Sequence, residues 1–260
     1  MSDVTHQDIV AGIRSLGVQP GDLMLAHTSL KSFGRVEGGA VTVAKALIES
    51  VSPGGTVVVP TFNYGTLPYD PATTPSLTGA VTEAFWRLPG AMRSRHPTHS
   101  FAAMGPLASE IIANHADDQT LGRGSPLAKI QQRDGWVLLI GCDHRASTMI
   151  HLAEESMNVP YLGRTRVGLL QHGREVQEAV VRRPGCSNGF NAIDPWLREM
   201  NQIHETTVAA AKLMLMRSGF IVAVASGLLA RDPGALLCNA PDCERCTWAR
   251  ERIAERSRNN

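Results

Sequence analysis

The sequence predicts an α/β protein of three layers, with helices on both faces of a mainly parallel central sheet. Apolar runs of strand length alternate with segments of helical periodicity over roughly the first 150 residues, which is the pattern of repeated βαβ units. After Val159-Pro160-Tyr161 the pattern changes and predicts a smaller α+β portion. We therefore expect one domain over residues 1–260, with residues 165–260 as an alternative C-terminal subdomain.

The elements follow one another in a regular order. Apolar spacing predicts helix 5–17, strand 23–26, helix 40–50, strand 56–59, helix 81–88, strand 101–105, helix 107–114, a helix from residue 127 and strand 137–140. Pro60 ends the second strand, because proline donates no hydrogen bond to a sheet. The proline-rich stretch 60–80 is a long loop of the kind that forms a lid or a binding loop.

The remaining elements are predicted with a different pattern. Residues 168–171 and 175–181 alternate around His172-Gly173, which predicts a β-hairpin. Helices over 191–201 and 204–217 and a strand over 220–225 complete the chain.

Composition excludes several classes of function. The chain is 43% hydrophobic and 19% charged, which suits a large core and argues against disorder. A net charge of +1 argues against nucleic acid as a partner. We find no apolar run of membrane-spanning length, and the acidic N-terminal residues do not resemble a signal peptide. Five cysteines, an odd number, favour a reducing cytoplasm.

The stretch from the last predicted parallel strand into the next helix contains the strongest catalytic candidates. The strand breaks at Gly141, and Ser147 or Thr148 is placed to cap the helix. On that helix His151 and Glu154 lie at i and i+3, close enough to hydrogen-bond. A histidine oriented by a carboxylate is a common general base. The alternative is that His151 is a structural core histidine.

Two loops are candidates for binding an anion. The first follows the strand at residue 23 and contains His27, Thr28, Ser29, Leu30, Lys31 and Ser32, whose backbone N–H groups suit a phosphate. The second contains Arg93, Ser94, His96 and Ser100, a set of guanidinium, hydroxyl and imidazole groups that also suits a phosphate. Ordinary polar loops are the alternative in both cases.

Three cysteines near the end of the chain have the spacing of a metal site. Cys243 and Cys246 form a Cys-x2-Cys pair, and Cys238 precedes them. A structural zinc site needs four ligands, and Cys186 in a tight turn is our candidate for the fourth. Cys142 is less suitable, because it lies beside the predicted active-site loop. Free thiols or a redox pair are the alternatives.

Six motifs occur in an order and spacing that resemble one known family. They are His27-Thr28-Ser29-Leu30, Pro53-Gly54-Gly55-Thr56, Pro60-Thr61-Phe62, Arg93-Ser94-x-His96-Pro97-x-His99-Ser100, Gly124-Ser125-Pro126, and Thr148-x-x-His151-x-x-Glu154 followed by Val159-Pro160-Tyr161. Over residues 5 to 250 the chain resembles the aminoglycoside 3-N-acetyltransferases, the antibiotic N-acetyltransferase family.

This resemblance implies transfer of an acetyl group from acetyl-CoA to a primary amine of an aminoglycoside, on an α/β/α fold distinct from the GNAT acetyltransferases. It implies that residues 27–32 and 93–100 line the path of CoA. His151 would be the general base, Glu154 its orienting carboxylate, and Thr148 or nearby N–H groups the oxyanion donors. The expected partners are CoA and a small amine, without nucleic acid or membrane, and a homodimer is one alternative for the assembly.

The sequence departs from the family where a cationic drug would bind. The loop 63–70 offers one acid, Asp70, and the hairpin ends in Arg182-Arg183 where related resistance enzymes more usually carry acids. Like charges repel, so a less cationic amine is an alternative acceptor, with Glu155, Glu175 and Glu178 as the remaining acidic contacts. A non-catalytic CoA-binding protein is the next alternative. A metal-dependent hydrolase is disfavoured, because the histidines lack catalytic-zinc spacing.

Overall fold

A seven-stranded sheet forms the centre of this computed structural model, which describes residues 3–66, 68–115, 118–171 and 174–259. Its strands are β1 (Leu23–Thr28), β2 (Thr56–Pro60), β3 (Met92–Arg93), β4 (Phe101–Met104), β5 (Trp136–Ile140), β8 (His204–Val208) and β9 (Ala211–Arg217). They are arranged in the order β3-β4-β2-β1-β5-β9-β8. Strands β6 (Gly163–Gln171) and β7 (Arg174–Arg183) form a separate antiparallel hairpin.

The sheet is parallel in the middle and antiparallel on both sides. Strand β1 pairs in parallel with β2 and β5, whereas β4 pairs with β2, and β9 with β5, in antiparallel register. Because β1 and β5 are parallel neighbours, their carboxyl ends lie at one edge, where Thr28 pairs with Ile140. Open α/β sheets bind their ligands at this edge.

Helices cover both faces of the sheet and give it the predicted three layers. The helices are α1 (His6–Ser15), α2 (Gly39–Ser50), α3 (Ala80–Trp86), α4 (Ala108–Ile112), α5 (Pro126–Gln132), α6 (Met149–Ser156), α7 (Asp194–Glu199), α8 (Ser218–Arg231) and α9 (Glu244–Asn259). Alternate residues of β1 face opposite cores: Met24 and Ala26 pack with α1–α3, and Leu23 and Leu25 with the remaining helices. The predicted fold class is confirmed.

Two predictions near the C-terminus are wrong. Residues 204–217, predicted as a helix, form strands β8 and β9 around Ala209, whose φ of 51° makes a tight turn. Residues 220–225, predicted as a strand, lie inside helix α8. The sheet buries both faces of β9, with Leu213 and Leu215 in one core and Met214 and Met216 in the other, so its sequence does not alternate in polarity.

The other C-terminal elements agree better with expectation. The predicted hairpin is present and longer than expected, although its turn at His172-Gly173 lies outside the described residues. Helix α7 and a 3-10 turn over Phe190–Ile193 occupy the predicted helix 191–201. The sequence pattern does not predict helix α9. In the part of the chain that the structure describes, every helix is too short or too polar to cross a membrane.

Candidate active site

A cleft of about 620 Å³ opens at the carboxyl ends of β1 and β5. Strand β1 contributes His27 and Thr28 to its lining, and the start of α6 contributes Thr148 and His151. Parts of the loop 60–80 form another side. The end of the β6–β7 hairpin and the first turn of α9 complete the cleft, so elements from the whole length of the chain meet there.

His151 is held by a buried carboxylate. Its Nδ1 lies 2.6 Å from Oε2 of Glu154, and Glu154 is completely buried. The phenol of Tyr161 donates to the other carboxylate oxygen, Oε1, over 2.9 Å. Burial raises the pKa of Tyr161, so the phenol keeps its proton. With Glu154 as acceptor, Nδ1 of His151 carries the proton and Nε2 is free to accept one.

The ring of His151 is held in place from a second direction. Phe190 packs against it in an edge-to-face arrangement, with 4.7 Å between ring centroids. His151 retains 9% exposure and lines the cleft, so the imidazole reaches the ligand space although its partners are buried. This arrangement suits a general base with a fixed tautomer.

Three hydroxyl groups lie near His151. The hydroxyl of Thr148 is 3.3 Å from Nε2 of His27 and does not cap helix α6. Thr148 occupies the N-cap position, but the prediction that the side chain of Ser147 or Thr148 caps the helix is wrong, since Thr148 has helical backbone angles and neither hydroxyl bonds to the first turn. Thr28 Oγ1 and Ser147 Oγ are buried in the cleft lining without a hydrogen-bond partner among the described residues.

His27 is a neutral group in this setting. Burial lowers the pKa of His27 to about 3, so the imidazole is uncharged near neutral pH. Its backbone carbonyl accepts a hydrogen bond of 3.5 Å from the thiol of Cys142, which also lines the cleft. Burial raises the pKa of Cys142 to about 12, so this thiol is unreactive.

The loop after β1 borders a second depression that adjoins the main cleft. Residues Leu30–Phe33 form a 3-10 helix, in which Ser32 Oγ donates to the carbonyl of Ser29. Ser29, Ser32, Arg145 and Lys212 line this depression, while Lys31 is exposed and Leu30 packs against the core. Gly141 is required here, because its φ is 62° and an added Cβ would collide with the side chain of Ser32.

The second predicted anion loop does not contribute its basic group to the cleft. The guanidinium of Arg93 donates to Thr61 and to the carbonyl of Thr74, and it stacks on Trp86. Ser94 bonds to His115, Ser100 bonds to Thr61, and His96 is fully buried. These four side chains are absent from the cleft lining, and Arg93 and Ser100 instead fix the loop 60–80 through Thr61 and Thr74.

The same loop nevertheless supplies part of the cleft wall. His99 packs against Phe62 with 4.5 Å between centroids and against Tyr64 at 5.7 Å, and all three line the cleft. Burial lowers the pKa of His99 well below that of a free histidine, and neighbouring charges lower it further. Sequence reasoning does not single out this aromatic wall, although His99 lies in the Arg93–Ser100 motif.

Three of the acids that the sequence offers as contacts for a cationic substrate, Asp70, Glu155 and Glu178, lie outside the cleft lining. Glu155 accepts a hydrogen bond from the backbone N–H of Leu121 and is buried outside the lining. Glu178 is exposed and pairs with Arg166, and Asp70 is buried and holds its own turn. The side chain of Glu175 lies outside the described residues. The lining instead contains Arg145, Arg182, Arg183 and Arg245, of which Arg145 and Arg245 were not predicted.

The four cysteines predicted as a metal site come together. The Sγ atoms of Cys186, Cys238, Cys243 and Cys246 all lie within 4.8 Å of one another. Cys238 and Cys246 are 3.4 Å apart, and Cys243 and Cys186 are 3.7 Å apart. In a tetrahedral zinc site with Zn–S bonds of about 2.3 Å the sulfur atoms are about 3.8 Å apart. The number, type and spacing of these sulfur atoms are compatible with a four-cysteine zinc site.

Comparisons with known proteins agree with this geometry. The family model described as aminoglycoside 3-N-acetyltransferase matches residues 25–230. Aminoglycoside N(3)-acetyltransferase IV from Salmonella sp is 39% identical over 230 residues, which cover 87% of each chain.

Solved structures are similar over nearly the whole chain. The apoenzyme of aminoglycoside acetyltransferase AAC(3)-IVa superposes with a TM-score of 0.87 at 37% identity, covering 97% of this chain and 99% of that one. A mutant of the same enzyme in complex with a gentamicin gives a TM-score of 0.89 at 37% identity and the same coverage. AAC-IIIb bound to CoASH gives 0.81 at 26% identity, covering 88% of this chain and 97% of that one.

The fold and the cleft, with a histidine on a buried carboxylate at the edge of a mixed α/β sheet, define an acetyltransferase outside the GNAT class. Within that class, the chain belongs to the aminoglycoside 3-N-acetyltransferase family.

Proposed function

We propose that this enzyme transfers an acetyl group from acetyl-CoA to a primary amine of an aminoglycoside or a related amino sugar, with His151 as the general base. As a member of its family it is an acetyl-CoA-dependent acetyltransferase. The single observation that carries the proposal is the 2.6 Å contact between His151 Nδ1 and Glu154 Oε2 inside the cleft. The relatives that bind a gentamicin and CoASH support it.

The mechanism follows from the orientation of His151. Its Nε2 accepts a proton from the substrate amine as the nitrogen attacks the thioester carbonyl. Glu154 stabilises the imidazolium that results, and Tyr161 keeps the carboxylate in place. When the tetrahedral intermediate collapses, the C–S bond breaks, and the proton passes from His151 to the departing CoA thiolate.

Hydroxyl groups in the lining supply candidates for oxyanion stabilisation. Thr28 Oγ1 and Ser147 Oγ have no partner among the described residues, and Thr148 is free to donate when His27 carries its proton on Nε2. Each such donor contributes about 3 kcal/mol to the transition state in other enzymes. We assign the CoA phosphates to the second depression, where Ser29, Ser32 and Lys212 lie beside the 3-10 helix.

Replacement of the base tests the proposal. We expect His151→Ala to reduce kcat by about 10²–10⁴-fold, because the amine then loses its proton acceptor. The measurement is thiol release from acetyl-CoA with a panel of aminoglycosides and simpler amino sugars. His204→Ala, on the edge strand β8, is the matched control and keeps wild-type rates. A His151→Ala enzyme with an unchanged kcat would overturn the assignment, and no acetyl-CoA binding by the wild type would overturn the function.

We further propose that Cys186, Cys238, Cys243 and Cys246 hold a structural zinc ion. Four cysteine ligands would leave no open coordination position on a zinc ion, so the ion would stabilise the fold and take no part in acetyl transfer. Metal analysis of the purified protein tests this: one zinc per chain supports the site, and a metal-free folded protein contradicts it.

The same features favour one domain in the cytoplasm. The region 165–260 contributes β8 and β9 to the central sheet, which supports a single folding unit. We propose a cytoplasmic location on the sequence evidence alone, because five cysteines, an odd number, favour a reducing compartment.

A further inference from the structure

The charge of the cleft lining is unusual for an enzyme that acts on a polyamine. The side chains that line it include four arginines and neither aspartate nor glutamate among the described residues. Arg145 is neutralised by Asp143 at 2.9 Å. Burial raises the pKa of Glu155 and the positive charge of Arg182 opposes that rise, so Arg182 is partly balanced by a carboxyl group outside the lining, whereas Arg183 and Arg245 form no ion pair with any described side chain. A cleft lined by one sign of charge attracts ligands of the opposite sign.

Arg182, Arg183 and Arg245 come from two neighbouring elements that border the cleft. Arg182 and Arg183 end strand β7, and Arg245 lies in the first turn of α9. The two elements pack together at Gly163, where an added Cβ would be 3.7 Å from the Cβ of Arg183 and 4.0 Å from the ring of Trp248 in α9. The cysteine cluster fixes the same turn, since Cys243 and Cys246 flank Arg245 and Cys186 follows Arg183 by three residues.

The three arginines lie apart from the depression that we assign to the CoA phosphates. Arg182, Arg183 and Arg245 line the main cleft and not the depression beside the 3-10 helix. Arg245 lies near the aromatic wall. Burial raises the pKa of Tyr64, and the positive charge of Arg245 opposes that rise. A small molecule in the main cleft therefore has His151 and the arginines within the same space of about 620 Å³.

We propose that Arg182, Arg183 and Arg245 form a binding site for an oxyanion, a phosphate or a carboxylate, carried by the amine that the enzyme acetylates. Guanidinium groups bind both oxyanions through paired N–H donors. The substrate class is then an amino sugar or similar small amine with its own negative charge. This inference rests on the acetyl transfer proposed above and narrows its acceptor.

Matched acceptors test the site. Thiol release is measured with glucosamine, glucosamine 6-phosphate, muramic acid (an amino sugar with a carboxylate) and gentamicin. We expect kcat/KM for an anionic sugar to exceed that for glucosamine by about tenfold or more, and added salt to reduce the ratio. A higher kcat/KM for glucosamine 6-phosphate would identify a phosphate as the preferred anion, and a higher kcat/KM for muramic acid would identify a carboxylate. Equal values for the neutral and anionic sugars, or a preference for gentamicin over all three, would overturn the inference.

Substitutions connect the preference to the three arginines. We make the double variant Arg183→Gln/Arg245→Gln and the single variant Arg182→Gln. In both we expect the ratio of kcat/KM for the anionic sugar to kcat/KM for glucosamine to fall towards one. Arg166→Gln on the hairpin and Arg252→Gln on α9 are the controls, since both residues lie outside the lining and pair with glutamates. An unchanged ratio in the cleft variants would contradict the assignment.

Direct binding separates failure of the site from failure of the proposed function. Titration calorimetry of glucosamine 6-phosphate and muramic acid into enzyme saturated with CoA requires no turnover. Binding that is lost in the arginine variants, without thiol release from any acceptor, would retain the anion site and overturn the acetyl transfer. Thiol release with neutral acceptors, without binding of either anionic sugar, would retain the acetyl transfer and overturn the anion site.

Discussion

The small size of Gly185 leaves room for the carboxylate of Glu154 that holds His151. An added Cβ would lie 2.9 Å from Oε1 of Glu154 and 3.1 Å from the ring of Tyr161. Because Glu154 is completely buried, its carboxylate has little room to move. We expect Gly185→Ala to displace Glu154 from His151 and to lower kcat by about tenfold or more, since a misplaced base loses much of its effect. Steady-state kinetics with the best acceptor measure this.

Gly227 provides the control for this substitution. It lies in helix α8, and an added Cβ would contact nothing within 4 Å. Gly227→Ala should leave kcat unchanged and stabilise the fold by about 0.5–1 kcal/mol, because alanine favours helices. If Gly185→Ala is as active as Gly227→Ala, the packing of Glu154 does not control the reaction.

At the residue scale the sequence predicts contacts within one helix and misses contacts between elements. The pairing of His151 with Glu154 follows from their i, i+3 spacing. The bond from Tyr161 to Glu154 depends on how the chain leaves the helix, which spacing does not determine. The basic residues of its loop predict that Arg93 binds a ligand, whereas in the structure its guanidinium donates to the carbonyl of Thr61. Nothing in the sequence around Arg245 indicates that α9 brings it to the cleft.

At the element scale the clearest failure concerns α8 and β9. Both are apolar, and in short windows periodicity does not separate a buried strand from a buried helix. The two elements differ in which residues they bury. Strand β9 is an inner strand of the sheet and is covered on both faces. Helix α8 buries Ile221, Ala225 and Leu229, at intervals of four residues. That spacing is present in the sequence, so the helix is predictable over a longer window.

The four-cysteine cluster joins helix α9 to the loop after β7, and its role as a zinc site can be tested by substitution. Cys243→Ser removes one of the four sulfur ligands, so we expect less than one zinc per chain and a melting temperature lower by several degrees. Metal analysis and thermal unfolding measure the two effects. Cys142→Ser, outside the cluster, should keep the full metal content. Equal zinc content in both variants would mean that Cys243 is not a ligand.

The whole molecule should lose stability in mild acid because it buries several neutral histidines. Burial lowers the pKa of His27 to about 3 and lowers the pKa values of His99 and His115. Between these values and 6.5, the ordinary pKa of histidine, the unfolded chain binds more protons than the folded chain. The free energy of unfolding is therefore at its full value above pH 6.5 and falls as the pH decreases below it. Urea unfolding from pH 7.5 to pH 5 measures the slope.

His115 is the best position at which to check the origin of that slope. It is buried, bonded to Ser94 and to the carbonyl of Thr120, and lies outside the cleft lining. His115→Gln should reduce the slope below pH 6.5 by up to about 1.4 kcal/mol per pH unit, the value for one proton. A variant with the wild-type slope would exclude His115 as a source of the pH dependence.

The overall architecture is the most predictable level. The order of apolar strands and amphipathic helices over the first half of the chain determines which segments form the sheet and its two covering layers. The sequence could not determine the antiparallel pairing at the sides, because strand direction depends on which neighbours meet. The parallel pairing of β1 and β5 brings His27 and the start of α6 to one edge, where the separate β6–β7 hairpin and helix α9 complete the candidate site.

The family match ends at residue 230, and the first turn of α9 lies beyond it. The proposed base and its carboxylate are inside the matched segment, whereas Cys243 and Arg245, which complete the cleft, are outside it. The proposed acceptor site spans both parts, because Arg182 and Arg183 lie inside the matched segment and Arg245 lies outside it. Mutation of the tail alone would then change one of the three arginines proposed to bind the acceptor and leave the proposed base and its carboxylate intact.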